Sequence, residues 1–295
     1  MSGKQRKPKS NFITQLKHST FLIPAVILLA GFFLVPIIMT FYYSFTNLAL
    51  SGANAKNFQV VGLKNYTSMF KDTTVFISIR NTLVFLAGSL IGQQVIGFLI
   101  ALCMKGKNST FRRIVGPVFL AGWIIPEVVV AICCSTFFGL DGTINQFLAA
   151  VGLPTIKWLQ KMPMLTIVLA NVWHGTAFSM MNFQSALDGV SADIEEAATM
   201  DGANYFQTLF HIIIPCIRST IATNTMLNTL STLGVFGLVY MMTGGGPGTK
   251  TTTIPIYMYK QAFVSQQLGY GTAIAMLLLV IGIILSVLYA RIDKD

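Results

Sequence analysis

The chain has 295 residues, of which 54% are hydrophobic and only 10% charged, against about 25% charged in an ordinary soluble domain. That composition excludes a soluble enzyme and points to a protein immersed in lipid. The net charge of +10 is not arranged as a basic stripe interleaved with aromatics, which excludes nucleic acid as a partner; cations in so apolar a chain belong at membrane edges.

Residues 1–20 form a basic tail with Lys4, Arg6, Lys7, Lys9 and Lys17. Six stretches then reach the roughly 20 apolar residues that a bilayer crossing needs: Phe21–Phe45, Asn81–Met104, Ile114–Leu140, Met162–Leu187, Ser219–Thr243 and Gly271–Ala290. The first is too long for a signal-peptide core and ends in "MTFYYSF", without small residues for cleavage. The loop after the second span carries Lys105, Lys107, Arg112 and Arg113. With the basic tail, this cluster places both the N-terminus and that loop in the cytoplasm, and six spans return residues 292–295 there too. The expected fold is an all-α membrane protein of six transmembrane helices, N-in and C-in, with a transmembrane domain over residues 21–291.

Glu127 interrupts the third span and follows Pro126. A proline inside a helix frees a backbone carbonyl and kinks the chain. A carboxylate costs about 2.5–3.5 kcal/mol at a span centre if unpaired, so Glu127 is expected to face the bundle or water. It serves either the cargo or a structural partner such as Arg80. The four cysteines, Cys103, Cys133, Cys134 and Cys216, have no metal-ligand spacing and pack as small apolar residues.

Between spans four and five, residues 188–218 form a loop with five acidic residues, Asp188, Asp193, Glu195, Glu196 and Asp201. Ser191 suits an N-cap for a short helix whose first turns hold acids at the favourable end of its dipole. Asp201-Gly202 predicts a stop. Asn204 with Gln207 predicts a capping box for a second helix, which ends near Ile214 before Pro215. Its stripe of Phe206, Leu209, Phe210 and Ile213 is expected to anchor it to the membrane domain. Two such helices suit a docking element; the alternative is a loop that folds against the helix ends.

After span five, "TGGGPGTKTTT" has Gly244, Lys250 and Thr251 in register with a phosphate loop, but Thr249 replaces the second glycine. It follows an apolar span that runs outward and predicts a glycine-rich turn. Polar residues in the spans suit a polyol path: Asn171, Trp173, His174 and Asn182 in span four, and Thr225, Asn228, Thr229 and Thr232 with Phe236 in span five. The same residue types also make hydrogen bonds between helices.

Glu196-Ala197-Ala198, then Gly202, then Ile212-x-Ile214-Pro215 resembles the signature loop of the membrane subunits of bacterial ABC importers. "GTIN" with "VGLPTIKWL", Trp173, "TGGGP", and Tyr259 and Phe263 with "GYGTA" are similar to the carbohydrate-uptake branch. The resemblance implies a non-catalytic permease subunit that forms half of a sugar path by alternating access. It implies partners: a second, related permease subunit, two cytoplasmic ATPase subunits and an extracellular solute-binding protein, all assembled in lipid. It implies no cofactor on this chain, with ATP and Mg on the ATPase. It assigns ATPase coupling to Glu195, Glu196, Ala197, Ala198, Asp201, Gly202, Phe206 and Phe210. Glu195 stands where the family commonly has an aromatic or aliphatic residue. Rival readings are the same architecture carrying a phosphorylated polyol such as glycerol 3-phosphate, and an ion-coupled transporter, for which Glu127 is the one suitable intramembrane carboxylate. A membrane enzyme finds no support, since neither paired carboxylates nor a Ser/His set stands at the span ends.

Overall fold

The computed structural model describes residues 23–292; the basic tail, the first residues of the first span and residues 293–295 lie outside them. Among the described residues the chain is helical, with one isolated bridge between Thr46 and Val60. Four helices are long and apolar enough to cross a membrane: α1 (Ile23–Ser44), α2 (Thr73–Met104), α6 (Pro163–Asp188) and α12 (Leu268–Ile292). Two further crossings are bent pairs. One is α3 (Ser109–Ile124) with α4 (Glu127–Phe137), at 98°, and the other is α9 (Arg218–Leu233) with α10 (Gly237–Thr243), at 48°. The structure holds up to six spans if each pair is one span. The third span is broken at the Pro126 kink that the sequence predicts, and the fifth span, read from hydropathy as unbroken, is bent as well.

The helix starts have local causes. The Asp72 side chain accepts from Thr74 N–H and caps α2, which therefore begins before the apolar stretch proper. Asn108 accepts from Phe111 N–H and caps α3. The 98° break falls at Pro126, the N-cap of α4. A helix end in an apolar setting needs donors for its last carbonyls, and the His174 ring bonds to Ile125 O at 3.1 Å. Asn145, on α5 (Thr143–Ala150), folds the following loop. Its amide donates to the carbonyls of Gly139, Leu140 and Ile156 and accepts from Ile156 N–H and the Trp158 indole.

α2 and α6 run side by side in the same direction, and glycines set their spacing. A Cβ on Gly97 would stand 2.6 Å from Ser179 Cβ and 2.9 Å from Met180 N; one on Gly88 would meet Val168 at 3.1 Å. Gly88 and Gly92 form a small-xxx-small pair on the same face, the device by which membrane helices approach closely. Apolar clusters lie to either side along the bundle. Met104, Met180, Phe183, Leu187, Leu209 and Ile213 pack at the end bearing the acidic loop, whereas Phe85, Val130, Ile167, Leu238 and Ile256 pack away from it.

The glycine-rich stretch after α10 is a closed turn. Thr251 Oγ1 donates to Gly246 O and Thr252 Oγ1 to Gly245 O, while Asn81 on α2 donates to the carbonyls of Thr249 and Thr252. The hydroxyls of Thr251 and Thr252 and the N–H groups of Gly246, Thr251 and Thr252 bond within the stretch and its flanking residues, as the turn reading expects.

A leucine in place of Gly97 must push α2 off the α6 backbone, whereas Gly282 on α12 has open space around it. Overpacking costs about 1–3 kcal/mol. Gly97→Leu should therefore lower the thermal unfolding midpoint of the detergent-purified chain while Gly282→Leu leaves it unchanged. Equal midpoints for both would contradict the close approach.

Candidate functional site

The acidic loop folds as two short helices. Ser191 caps α7 (Ala192–Met200) by accepting from Asp193 N–H, which leaves Asp193 and Glu195 in the first turn. α7 stops at Asp201, and Gly202 follows at φ +81, a left-handed conformation that glycine adopts without Cβ strain. Asn204 and Gln207 form the reciprocal capping box that opens α8 (Tyr205–Cys216).

Two expectations for α8 are corrected. It does not end at Ile214; helical geometry continues to Cys216 through a π turn at Leu209–Ile213, where Ile214 N–H bonds to Leu209 O. A π turn widens the helix, which moves the preceding carbonyls away from the Pro215 ring and uses a pattern other than i→i−4. Nor does the apolar stripe anchor as one face. Leu209 and Ile213 are buried against the bundle, but Phe206 is 68% and Phe210 59% exposed. With Met200, 88% exposed, and Tyr205, they form an outward apolar face. Glu196, Ala197, Asp201 and Gly202 are exposed, while Ala198 is buried inside the loop.

Glu195 is not aimed outward. It pairs with Lys105, and Asp188 pairs with Arg112. Both bridges join the acidic loop to the basic loop that follows α2. A fold-independent reading of sequence sees two oppositely charged loops without seeing that they touch. Separations of 90 and 76 positions have no local signature, although the charge complementarity is itself a signal. The pairing gives a physical reason for an acid at position 195.

The span residues group by helix–helix bonding. Asn228 on α9 donates to Ser179 Oγ on α6 at 2.7 Å; Asn182 on α6 donates to Asn224 Oδ1; Asn224 donates to Gln94 Oε1 on α2. Gln93 donates to Asn171 O, leaving Asn171 Nδ2 and Gln93 Oε1 buried without a partner. Asn171, Asn228 and Thr232 are each buried. Trp173 instead is 54% exposed and lines an apolar cavity of about 360 Å³ with Cys133, Cys134, Phe137, Phe138 and Leu169. Phe236 stands at the α9–α10 break. Glu127 lies beside it, with Oε2 3.0 Å from where a Cβ on Gly237 would stand. It forms no ion pair with Arg80 among the described residues.

A polar cavity of about 440 Å³ lies at the opposite end of the bundle from the acidic loop, between the start of α2 and α11 (Ile254–Tyr259). The hydroxyls of Tyr257 and Tyr270 both donate to Asp72 Oδ2. Burial pushes the Tyr257 hydroxyl up to about 12, aided by its bond to Asp72. For Asp72 burial raises the carboxyl, but the two tyrosine hydroxyls and Thr74 N–H outweigh it and hold the carboxyl below its ordinary value. Sequence reasoning missed this centre because a lone Asp and two distant tyrosines carry no spacing pattern.

Two outcomes follow. Surface ion pairs contribute about 0.2–1 kcal/mol, so Glu195→Lys should lower the thermal midpoint by setting two cations together. Adding Lys105→Glu should recover most of the loss, and a double variant as weak as the single would argue against the pair. For Asp72, a folded value below the ordinary 3.8 stabilises the fold fully above 3.8 and loses that contribution as pH falls through the folded value. Asp72→Asn should thus be less stable than the native chain at neutral pH, with the gap closing on strong acidification. A gap independent of pH would count against the carboxylate's role.

Comparison with known proteins places this geometry. Residues 93–295 match the family of binding-protein-dependent transport system inner membrane components. The multiple sugar-binding transport system permease protein MsmF of Streptococcus mutans is 33% identical, over 93% of this chain and 94% of its own. The trehalose/maltose transport system permease protein MalF of Thermococcus litoralis is 26% identical over 97% and 98%. A chain of a bacterial alginate ABC transporter, crystallised with a periplasmic protein bound to alginate pentasaccharide, superposes with a TM-score of 0.81 at 22% identity, covering 95% of this chain and 96% of that one. The chain belongs to the family of binding-protein-dependent transport system inner membrane components.

Proposed function

We propose that this chain is the permease subunit of an ATP-driven importer of a sugar or oligosaccharide. It forms half of the translocation path, with a second, related permease subunit supplying the rest. An extracellular solute-binding protein delivers the cargo, and two cytoplasmic ATPase subunits bind and hydrolyse ATP with Mg. The chain itself contributes no catalytic residue and no cofactor. Its orientation is N-in and C-in, which puts the acidic loop on the ATPase side.

One observation carries the reading. The loop over residues 188–218 presents Phe206, Phe210, Met200 and Tyr205 outward on two capped helices, while ion pairs and Leu209 and Ile213 fix it to the bundle. An exposed apolar face on a rigidly held element is what a docking partner needs. Glu196, Ala197, Asp201 and Gly202 flank that face, and Glu195 and Ala198 hold its shape from within. The cargo class comes from relatives named for sugar transport that match along nearly the whole chain.

The test is purification from the native membrane in mild detergent, with identification of the proteins that accompany the chain. An ATPase should co-purify, and Glu196→Lys, at an exposed position, should strip it away while the chain keeps its native thermal midpoint; Gly202→Asp should strip it away as well, with a lower midpoint because position 202 has φ +81. A stable chain that never brings an ATPase down would overturn the importer reading.

A further inference from the structure

Glu127 and a group of rings occupy the bundle from its middle toward the end away from the acidic loop. Phe236 lies 5.1 Å from Tyr240 with the planes at 19°, and 4.9 Å from Tyr259 at 47°. Tyr240 and Tyr259 close the triangle at 5.1 Å, and Phe263 extends it from Tyr259 at 5.3 Å. Three of these rings are half-buried and Phe263 is exposed, so the group has a free side. They come from four places: the α9–α10 break, α10 itself, the end of α11, and the π turn Lys260–Val264 that follows it.

Glu127 sits against Gly237, the chain neighbour of Phe236. A Cβ at position 237 would stand 3.0 Å from Glu127 Oε2, so the glycine lets the carboxylate rest there without shifting. Among the described residues the carboxylate has neither an ion pair nor a hydrogen-bond donor. A lone carboxylate in an apolar span is costly and calls for water or a ligand. The nearby cation does not serve it: Lys260 Nζ is directed at Gly245, 3.0 Å from where a Cβ there would stand.

We propose that Glu127, Phe236, Tyr240 and Tyr259 form a subsite for one pyranose ring of a neutral saccharide, with Phe263 as the first ring met from the outer end. The proposal rests on the sugar-importer reading and adds its contacts and its charge selectivity. A pyranose presents apolar C–H faces, which lie on aromatic rings, and a rim of hydroxyls, which donate to a carboxylate. The tyrosine hydroxyls supply further hydrogen bonds at the edge of the same patch. A fixed negative charge at Glu127 also repels phosphate, sulfonate and carboxylate groups on a cargo, which separates neutral sugars from phosphorylated polyols.

The experiment uses the complete transporter with its ATPase and binding protein in proteoliposomes, and follows uptake of maltotriose, raffinose and cellotriose, with trigalacturonate as the anionic probe. The native transporter should take up at least one neutral trisaccharide and exclude trigalacturonate. Tyr259→Leu and Phe236→Leu keep apolar bulk but lose the π face, and should cut the maximal uptake rate at saturating binding protein roughly tenfold, the equivalent of one aromatic contact. Tyr259→Trp should restore it. Glu127→Gln should slow neutral uptake and narrow the discrimination against trigalacturonate. Leucine variants that transport like the native protein, or a Tyr259→Trp variant as slow as Tyr259→Leu, would overturn the subsite while leaving the importer reading intact. Uptake of trigalacturonate alone would overturn the neutral selectivity and the subsite with it. A native transporter that moves no saccharide would remove the sugar reading itself.

Discussion

Between Gly97 on α2 and Ser179–Met180 on α6 there is no room for a side chain, and much of the molecule follows from that contact. Inside a bilayer the hydrophobic effect does not drive helices together, so close packing and hydrogen bonds must. The glycine seam supplies the packing. It also brings Gln93 within 2.9 Å of the Asn171 carbonyl and Gln94 within 2.9 Å of Asn224. Because α2 and α6 are parallel, the seam sets their C-terminal ends side by side, where Lys105 and Arg112 meet Glu195 and Asp188. One register thus positions the amide network and both ion pairs.

The breaks in the helices follow a second constraint, that backbone polar groups away from water find partners. The α3–α4 break uses His174 for the Ile125 carbonyl. The approach to Pro215 uses a π turn in place of a stop. At Gly234–Phe236 the chain turns by 48° between α9 and α10, and this brings α10 onto α4, where Leu238 and Val239 join Val130 and Ala131 in one apolar cluster. The two broken crossings therefore pack on each other. That is how Glu127 and Phe236, 109 positions apart in the chain, come to neighbouring places.

Features fixed by a few consecutive residues were readable from the sequence. The Ser191 cap, the Gly202 stop and the Asn204–Gln207 box depend on side chains reaching their own backbone, and each stands where its spacing puts it. The glycine-rich turn was likewise legible, from its place directly after an apolar membrane helix together with Thr249 in place of a glycine. The angle at Pro126 was not, because a proline dictates a break but leaves its size to tertiary packing. The outward turn of Phe206 and Phe210 escaped for a related reason. The four residues form two neighbouring i,i+4 ridges, and only the tertiary packing decides that the Leu209–Ile213 ridge is buried and the Phe206–Phe210 ridge exposed. Ion pairs and the Asp72 centre depend on residues from distant segments, which no local pattern can join.

The amide network also bears on how a movement of the acidic loop travels. α6 enters that loop and α9 leaves it, so any force on α7 and α8 acts on both helices. Were α6 and α9 joined only by apolar contact, they could slide independently. Asn228 to Ser179 and Asn182 to Asn224 instead bond them directly, and Asn224 carries the connection on to Gln94 in α2. Breaking a buried amide pair leaves unsatisfied groups at a cost of about 1–3 kcal/mol each, so small displacements are carried by the three helices together. The same unit ends, through the α9–α10 break, at Phe236 beside Glu127. The bonded helices thus form a continuous hydrogen-bonded connection from the loop to the 48° bend between α9 and α10.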